Sequence, residues 1–257
     1  MQQHNNEKPK LILRNIALKL SYVGTNYHGW QIQKNAVSVQ EVFQKALYKI
    51  LKEPVDIKGC SRTDTGVHAN MYVVNFHTTA QMKCENFIYA LNRHLPGNIC
   101  VYDCAEKDEG FHARYSCKGK EYIYKIWNSK IRNPFLDGRA LHYWYPLNID
   151  LMNRAAEKFI GKHDFSALAT LDSRKQENME RTIEYFKIEK DGDFVNFIVK
   201  ADGFLYNMVR IMVGTLLRVS QGKINPDDIP KIIKSKNRNL AGPTAPPQGL
   251  YLNRIFY

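Results

Sequence analysis

No run of this 257-residue chain approaches the roughly 20 consecutive apolar residues that a membrane-spanning helix needs. The opening MQQHNNEKPK has no apolar core of the kind that directs export, so a soluble, cytoplasmic protein without a membrane partner is expected. Cys60, Cys84, Cys100, Cys104 and Cys117 are odd in number and include no C-x-x-C, which reads as reduced thiols rather than a disulfide framework. Cys100 and Cys104 with His112 come nearest to a zinc set, but their spacing fits no structural site and needs a distant fourth ligand, so no metal is expected. Also missing are G-x-x-x-x-G-K-[ST], G-x-G-x-x-G and H-E-x-x-H. These are the signatures of a phosphate loop, a dinucleotide fold and a zinc hydrolase.

What the chain does have is positive charge. Its 37 Lys and Arg against 25 Asp and Glu give +12 and a pI near 9.4. The excess is shared, with +5 carried up to residue 105 and +7 after it. A hydrophobic fraction of 44% and an aromatic fraction of 12% are enough for a core, so this is not a disordered polycation. A basic folded surface suits a polyanion, although an ordinary solvated surface accounts for the charge alone. Tyr115, Tyr122, Tyr124, Trp127 and Phe135 lie among the basic residues of Arg114 to Arg139, as on surfaces that neutralise phosphates and stack bases.

Hydrophobic periodicity divides the chain into two similar halves. Ile16, Leu18, Leu20 and Tyr22 alternate with polar or small residues, which predicts a half-buried strand. Ser38 precedes Glu41 at capping-box spacing, and Val39, Val42, Phe43, Ala46, Leu47, Ile50 and Leu51 form one helical face ending before Pro54. Strands near 55–60 and 70–78, a helix at 85–94 and a strand at 98–105 complete a βαββαβ order. The second half repeats it, with a strand at 119–128, a helix at 150–160, strands at 181–190 and 193–200, a helix at 204–220 and a last strand at 249–256. The fold class is therefore α+β. It comprises two split-βαβ units of the ferredoxin or RRM kind, in domains 1–105 and 106–257, with mixed, mainly antiparallel sheets joined around a central cleft. Segments 129–149, 170–180 and 221–247 read as long loops and are expected to be the mobile parts.

The turn between the second and third strands, Gly59-Cys60-Ser61-Arg62-Thr63-Asp64-Thr65-Gly66-Val67-His68-Ala69, puts an Arg, an Asp and a His on one loop held by a sheet. By itself Thr-Asp-Thr-Gly is an ordinary turn whose Asp bonds its own backbone. The loop nevertheless resembles the central motif of the TruA family of tRNA pseudouridine synthases, G-R-T-D-x-G-V-H-A, from Arg62 to Ala69. Ser61 stands where the family often has Gly, a change that matters only if that position needs a positive φ. The resemblance continues in Tyr22-Val23-Gly24-Thr25-Asn26-Tyr27-His28-Gly29-Trp30-Gln31, in Phe111-His112-Ala113-Arg114 and Lys120-Glu121-Tyr122-Ile123-Tyr124, and in Asn207-Met208-Val209-Arg210-Ile211-Met212-Val213-Gly214 and Gly249-Leu250-Tyr251-Leu252. These blocks, in order, span nearly the full chain.

The resemblance implies a pseudouridine synthase fold, tRNA as partner, a homodimer, and isomerisation of uridine at tRNA positions 38, 39 and 40 without a cofactor. It makes Asp64 the essential carboxylate, a group that can attack carbon or assist departure of the base. The sequence does not choose between attack at C6, attack at C1′ and a glycal route. Burial raises a carboxyl pKa, and a guanidinium partner opposes this. Arg210 resembles the family's arginine that pairs with the Asp. Tyr122 resembles the tyrosine that lies against the target base. Tyr124 shares its strand face, and Tyr122 is preferred as the first tyrosine of the block. Leu250 is assigned to the other face of the base, with Leu252 as the alternative. Arg62 is expected to replace the extruded nucleotide or bind its phosphate, with a loop salt bridge as the alternative. His28 and His68 are expected to hold their loops by hydrogen bonds. A double RRM-like RNA-binding protein without chemistry is the rival reading, but it leaves the Arg-Thr-Asp loop unexplained, and the RRM strand pattern is not found. A hydrolase using Asp64 with a remote acid such as Asp202 is a third.

Overall fold

A computed structural model describes residues 12–170 and 178–257. The first unit runs β1 (Arg14–Tyr22), α1 (Val39–Leu51), β2 (Lys58–Gly59), β3 (His68–Thr78), α2 (Cys84–Asn92) and β4 (Ile99–Lys107). The second runs β5 (Gly119–Trp127), β6 (Leu141–His142), α3 (Ile149–Ala156), β7 (Gly161–Asp164), β8 (Glu180–Asp191), β9 (Phe194–Ala201), α4 (Met208–Ser220), α5 (Ile229–Ser235) and β10 (Leu250–Phe256). Helix α1 starts where its capping sequence says it should: Ser38 Oγ accepts from the Glu41 N–H at 3.2 Å. Its face of Val39, Phe43, Ala46 and Leu47 is buried.

The two sheets expected to join do so edge to edge, in one continuous sheet of ten strands in the order β4-β1-β3-β10-β5-β9-β8-β7, with β2 on β3 and β6 on β5. The last strand makes the join. β10 lies between β3, which it meets in parallel through Tyr251 opposite His68 and Leu252 opposite Ala69, and β5, which it meets antiparallel through Leu250 opposite Tyr124 and Leu252 opposite Tyr122. All other strand pairs are antiparallel except β5 with β6.

Several expectations are corrected. Only Lys58 and Gly59 of the strand expected at 55–60 pair with β3. The segments expected as loops contain β6 and α5, and β7 was not foreseen. Gly161-Lys162-His163-Asp164 has no apolar alternation, because an edge strand half open to water needs none, and the prolines around α5 hide a short helix that carries Pro230 in its first turn. Of segment 170–180, residues 171–177 lie outside the described residues. The helix expected from 204 starts only at Met208, because Asn207 sits in the left-handed region at φ 61° and turns Phe204 to Tyr206 away from the helix axis.

Helix α4 is buried along nearly its whole length, through Met208, Ile211, Met212, Val213 and Leu216 among others. Its Gly214 is required by close approach: a Cβ there would lie 1.7 Å from the carbonyl oxygen of Pro243. The strap from Gly242 to Gly249 therefore runs directly over the helix backbone, held by Gly242 N–H to Thr215 Oγ1 at 2.9 Å and Ala245 N–H to Arg210 O at 3.1 Å. Gly214→Ala gains at most about 1 kcal/mol of helix propensity and forces the strap outward at a cost of about 3 kcal/mol. A net loss of about 2 kcal/mol in urea unfolding is the expected outcome, and an unchanged midpoint contradicts this packing.

Candidate active site

The Arg-Thr-Asp loop between β2 and β3 is clamped by the loop that follows β1. The Trp30 N–H donates to Thr63 O at 3.2 Å, and the Gly66 N–H donates to Tyr27 O at 3.2 Å, so backbone bonds bracket Asp64 on both sides. Gly29 has φ 75°, and a Cβ on it would lie 2.2 Å from Thr63 O. The glycine of the Tyr-His-Gly-Trp block thus serves to let one loop close on the other. Tyr22 Oη and Thr63 Oγ1 are 2.8 Å apart, and the Tyr72 hydroxyl donates to Ser61 O. Trp30 stacks on Tyr72 beneath the loop, with ring centroids 4.0 Å apart. Ser61 itself has no positive φ, so serine in place of glycine costs the loop no strain.

Across the seam, Arg210 Nη1 stands 3.4 Å from Asp64 Oδ2. The same guanidinium donates through Nη1 to Asn207 Oδ1 at 2.8 Å and through Nε to Ala245 O at 2.7 Å. Arg210 is therefore oriented by its own helix start and by the strap, and its charge is aimed at the carboxylate. Burial raises the Asp64 pKa above the ordinary carboxylate value, and the Arg210 charge and hydrogen bond oppose the rise without cancelling it. A guanidinium that also serves two other acceptors, at 3.4 Å from the carboxylate, offsets only part of the desolvation.

Asp64 opens into a cleft of about 720 Å³ whose walls come from both halves of the chain. Arg62, Tyr122 and Leu250 line it, as do Ser61, Arg114, Lys120, Phe204 and Asn207. Arg62 is exposed and makes no ion pair among the described residues. Tyr122 and Tyr124, adjacent on one face of β5, have separate surroundings. Tyr122 meets the cleft with Phe204 edge-on at 5.1 Å, whereas the Tyr124 hydroxyl donates to Pro246 O at 2.7 Å within the core. Leu250 lines the cleft and Leu252 is fully buried away from it. Asp202 caps Thr182 N–H at 3.0 Å and does not line the cleft, so Asp64 is the one carboxylate there among the described residues.

Lys120, Phe204 and Arg114 have no role assigned from the sequence. Lys120 was legible, since it lies two residues before Tyr122 on the same strand face. Phe204 was not, because it reads as the first turn of a helix that starts later.

The family model described as tRNA pseudouridine synthase matches residues 19–116 and 155–257. "tRNA pseudouridine synthase A" of Thermoanaerobacter sp. strain X514 is 51% identical over 245 residues, covering 95% of this chain and all of that protein. The enzymes of the same name from Acetivibrio thermocellus and Clostridium acetobutylicum are 47% and 43% identical over the same shares. The chain belongs to the tRNA pseudouridine synthase family. It is a TruA-type isomerase that converts uridine to pseudouridine, with tRNA as substrate. RNA binding without chemistry and hydrolysis are thereby set aside. A solved Cbf5-Nop10-Gar1 complex is similar at a TM-score of 0.34 and 12% identity, covering 92% of this chain and 57% of that one, too slight a likeness to argue from.

The synthase loop ends on His68, which is fully buried. Its Nδ1 accepts from the Gly24 N–H at 2.9 Å, so the proton sits on Nε2, which donates to Gln248 O at 3.1 Å. This neutral ring ties three segments together, and burial lowers its pKa to about 4. Above about pH 6.5 the folded and unfolded chains both carry it neutral. Below that the unfolded chain takes up a proton that the folded one refuses, so stability falls from about pH 6.5 until about pH 4. Between pH 7.5 and 5 the loss from this group is about 2 kcal/mol. In urea unfolding, His68→Gln should be less stable at pH 7.5 and show a pH dependence shallower by that amount; an identical dependence contradicts a buried neutral His68.

Proposed function

We propose that this synthase isomerises uridines of the tRNA anticodon stem and loop, at positions 38, 39 and 40, with Asp64 as its essential group. The observation that carries the reading is the pairing of a half-buried carboxylate with Arg210 in a cleft walled by Tyr122 and Leu250. The N1–C1′ bond of the target uridine must break and a C5–C1′ bond form. Positive charge develops at C1′ as the base leaves, and a carboxylate held ionised beside it either stabilises that charge or bonds to the carbon. Arg210 keeps Asp64 ionised in a place where burial favours the acid.

Tyr122 packs against one face of the extruded uracil and Leu250 against the other. Stacking of this kind is worth about 1 to 3 kcal/mol and holds the base while it turns. Arg62, exposed at the cleft and free of an ion pair among the described residues, takes the place of the flipped nucleotide or binds its phosphate. The chain divides in function as in sequence, with residues 1–105 bringing the Arg-Thr-Asp loop and residues 106–257 bringing Tyr122 and Arg210. The enzyme works as a cytoplasmic homodimer that contacts one tRNA through the basic surface of both subunits, and it needs no cofactor.

The test uses unmodified tRNA carrying tritium at C5 of uridine, because the hydrogen at C5 must leave when that carbon joins the ribose. Wild-type enzyme is expected to release tritium to water from positions 38 to 40, while Asp64→Asn binds the tRNA within about threefold and releases none. Release by Asp64→Asn at the wild-type rate removes Asp64 from the chemistry, and release only from uridines outside the anticodon arm overturns the site assignment.

A further inference from the structure

The proton traffic of this reaction needs a group that the ion pair does not provide. The departing base takes a proton at N1, and the hydrogen at C5 has to be removed afterwards. Asp64 is occupied at the sugar, and no other carboxylate lines the cleft among the described residues. Of the other ionisable groups that line it, His28, Arg62, Arg114, Lys120, Tyr122 and Tyr206, two stand together, Lys120 and Tyr122, two apart on β5 and linked through one serine. Lys120 is half-buried, and its Nζ donates to Cys60 O at 2.9 Å and to Ser61 Oγ at 3.3 Å. Ser61 Oγ in turn lies 3.4 Å from Tyr122 Oη, with Arg62 O at 3.3 Å as the other acceptor in its reach. An ammonium, a hydroxyl and a phenol therefore stand in line, and the phenol end faces the cleft.

We propose that Lys120 is a positioning residue that acts through Ser61: its ammonium donates to Ser61 Oγ, the Ser61 hydroxyl donates to Tyr122 Oη, and negative charge on that oxygen is thereby stabilised. The proposal rests on the reading of Tyr122 as the residue against the target base. When N1–C1′ breaks, its electron pair stays on the uracil, and Tyr122 gives its hydroxyl proton to N1. After C5–C1′ has formed, the C5–H bond breaks, its electrons return to the ring, and the proton goes to Tyr122 Oη. One proton has moved from C5 to N1, the tyrosine is restored, and the C5 hydrogen exchanges with water from the phenol. Between the two transfers the phenolate needs a cation nearby, and a hydrogen bond to a charged group contributes more than a neutral one.

Lys120 is faced by the thiols of Cys60 and Cys117 and by the guanidinium groups of Arg114 and Arg181; Tyr122 is faced by Asp64, by the same thiols and by the phenols of Tyr22 and Tyr72, both of which burial keeps protonated. Burial pushes the Cys60 thiol up to about 12, and it stays neutral at working pH. Burial lowers the Lys120 pKa and raises that of Tyr122, so Lys120 loses its proton first as pH rises. A lysine is charged below its pKa, so the rate should be present at neutral pH and lost on the alkaline side.

The experiment follows tritium release from C5-labelled tRNA by the full-length enzyme from pH 6 to 9.5, with folding checked by circular dichroism. Lys120→Met is expected to lower kcat by about 10- to 100-fold with KM within about threefold, and to abolish the alkaline loss. Lys120→Arg keeps the charge and should retain more activity than Lys120→Met while moving the alkaline loss out of range. Ser61→Ala should cost about 3- to 10-fold in kcat. Cys117→Ser should leave the alkaline loss in place. Wild-type kcat and alkaline loss in Lys120→Met overturn the proposal, as does a raised KM at unchanged kcat, which would make Lys120 a phosphate contact. Wild-type kcat in Tyr122→Phe would instead defeat the reading of Tyr122 itself, whatever the lysine variants do.

Discussion

The insertion of β10 between β3 and β5 is the constraint on which the site depends. Two parallel pairings on one side, at Tyr251 and Leu252, and an antiparallel ladder on the other turn two sequence units into one sheet. The loop carrying Asp64 leads into β3, Tyr122 is on β5, and Leu250 begins β10, so neighbouring strands bring three cleft residues together. Arg210 arrives by a different route, on α4, and the strap just before β10 bonds it through Ala245 in both directions. The same strap bonds Tyr124 through Pro246 and His68 through Gln248. The residues that close the sheet thus also orient the cation.

Two opposing terms decide the state of Asp64. Burial favours the neutral acid, and Arg210 favours the carboxylate. An arginine suits this place because it stays charged at any working pH and divides its donors among three acceptors in fixed directions. A lysine in its stead has one ammonium that burial discharges. Lys120 shows the same tendency in the molecule, its pKa lowered by burial. The two cations are suited to different work: one holds a permanent charge against the carboxylate, and the other supplies a charge that can be titrated.

The fold was legible where burial imposes a period. The strands β1, β3, β8 and β9 and the helices α1 and α4 bury one face or more, and the apolar spacing shows it. β7 and α5 were hidden, one because its side chains are mostly polar and the other because its proline reads as a break. Which strands join the two sheets is a matter of pairing between β3 and β10, 183 residues apart at His68 and Tyr251, and no local pattern records it. At the site, Asp64, Arg62, Tyr122 and Leu250 were named from motif positions, and all line the cleft. The choice between Tyr122 and Tyr124 rested on order in a block; in the structure the Tyr124 hydroxyl is taken by Pro246. Arg210 was expected to offset burial of Asp64. It does so in part, since Asn207 and Ala245 share its donors, which a sequence cannot reveal.

The central claim is that Arg210 holds a buried Asp64 in its ionised form. Its most direct test is a carbon-13 NMR titration of the Asp64 carboxyl in the wild-type protein and in Arg210→Gln. The account predicts a wild-type pKa above the ordinary carboxylate value and a further rise of about one unit or more when the guanidinium is removed. A titration curve that does not move in Arg210→Gln would contradict it.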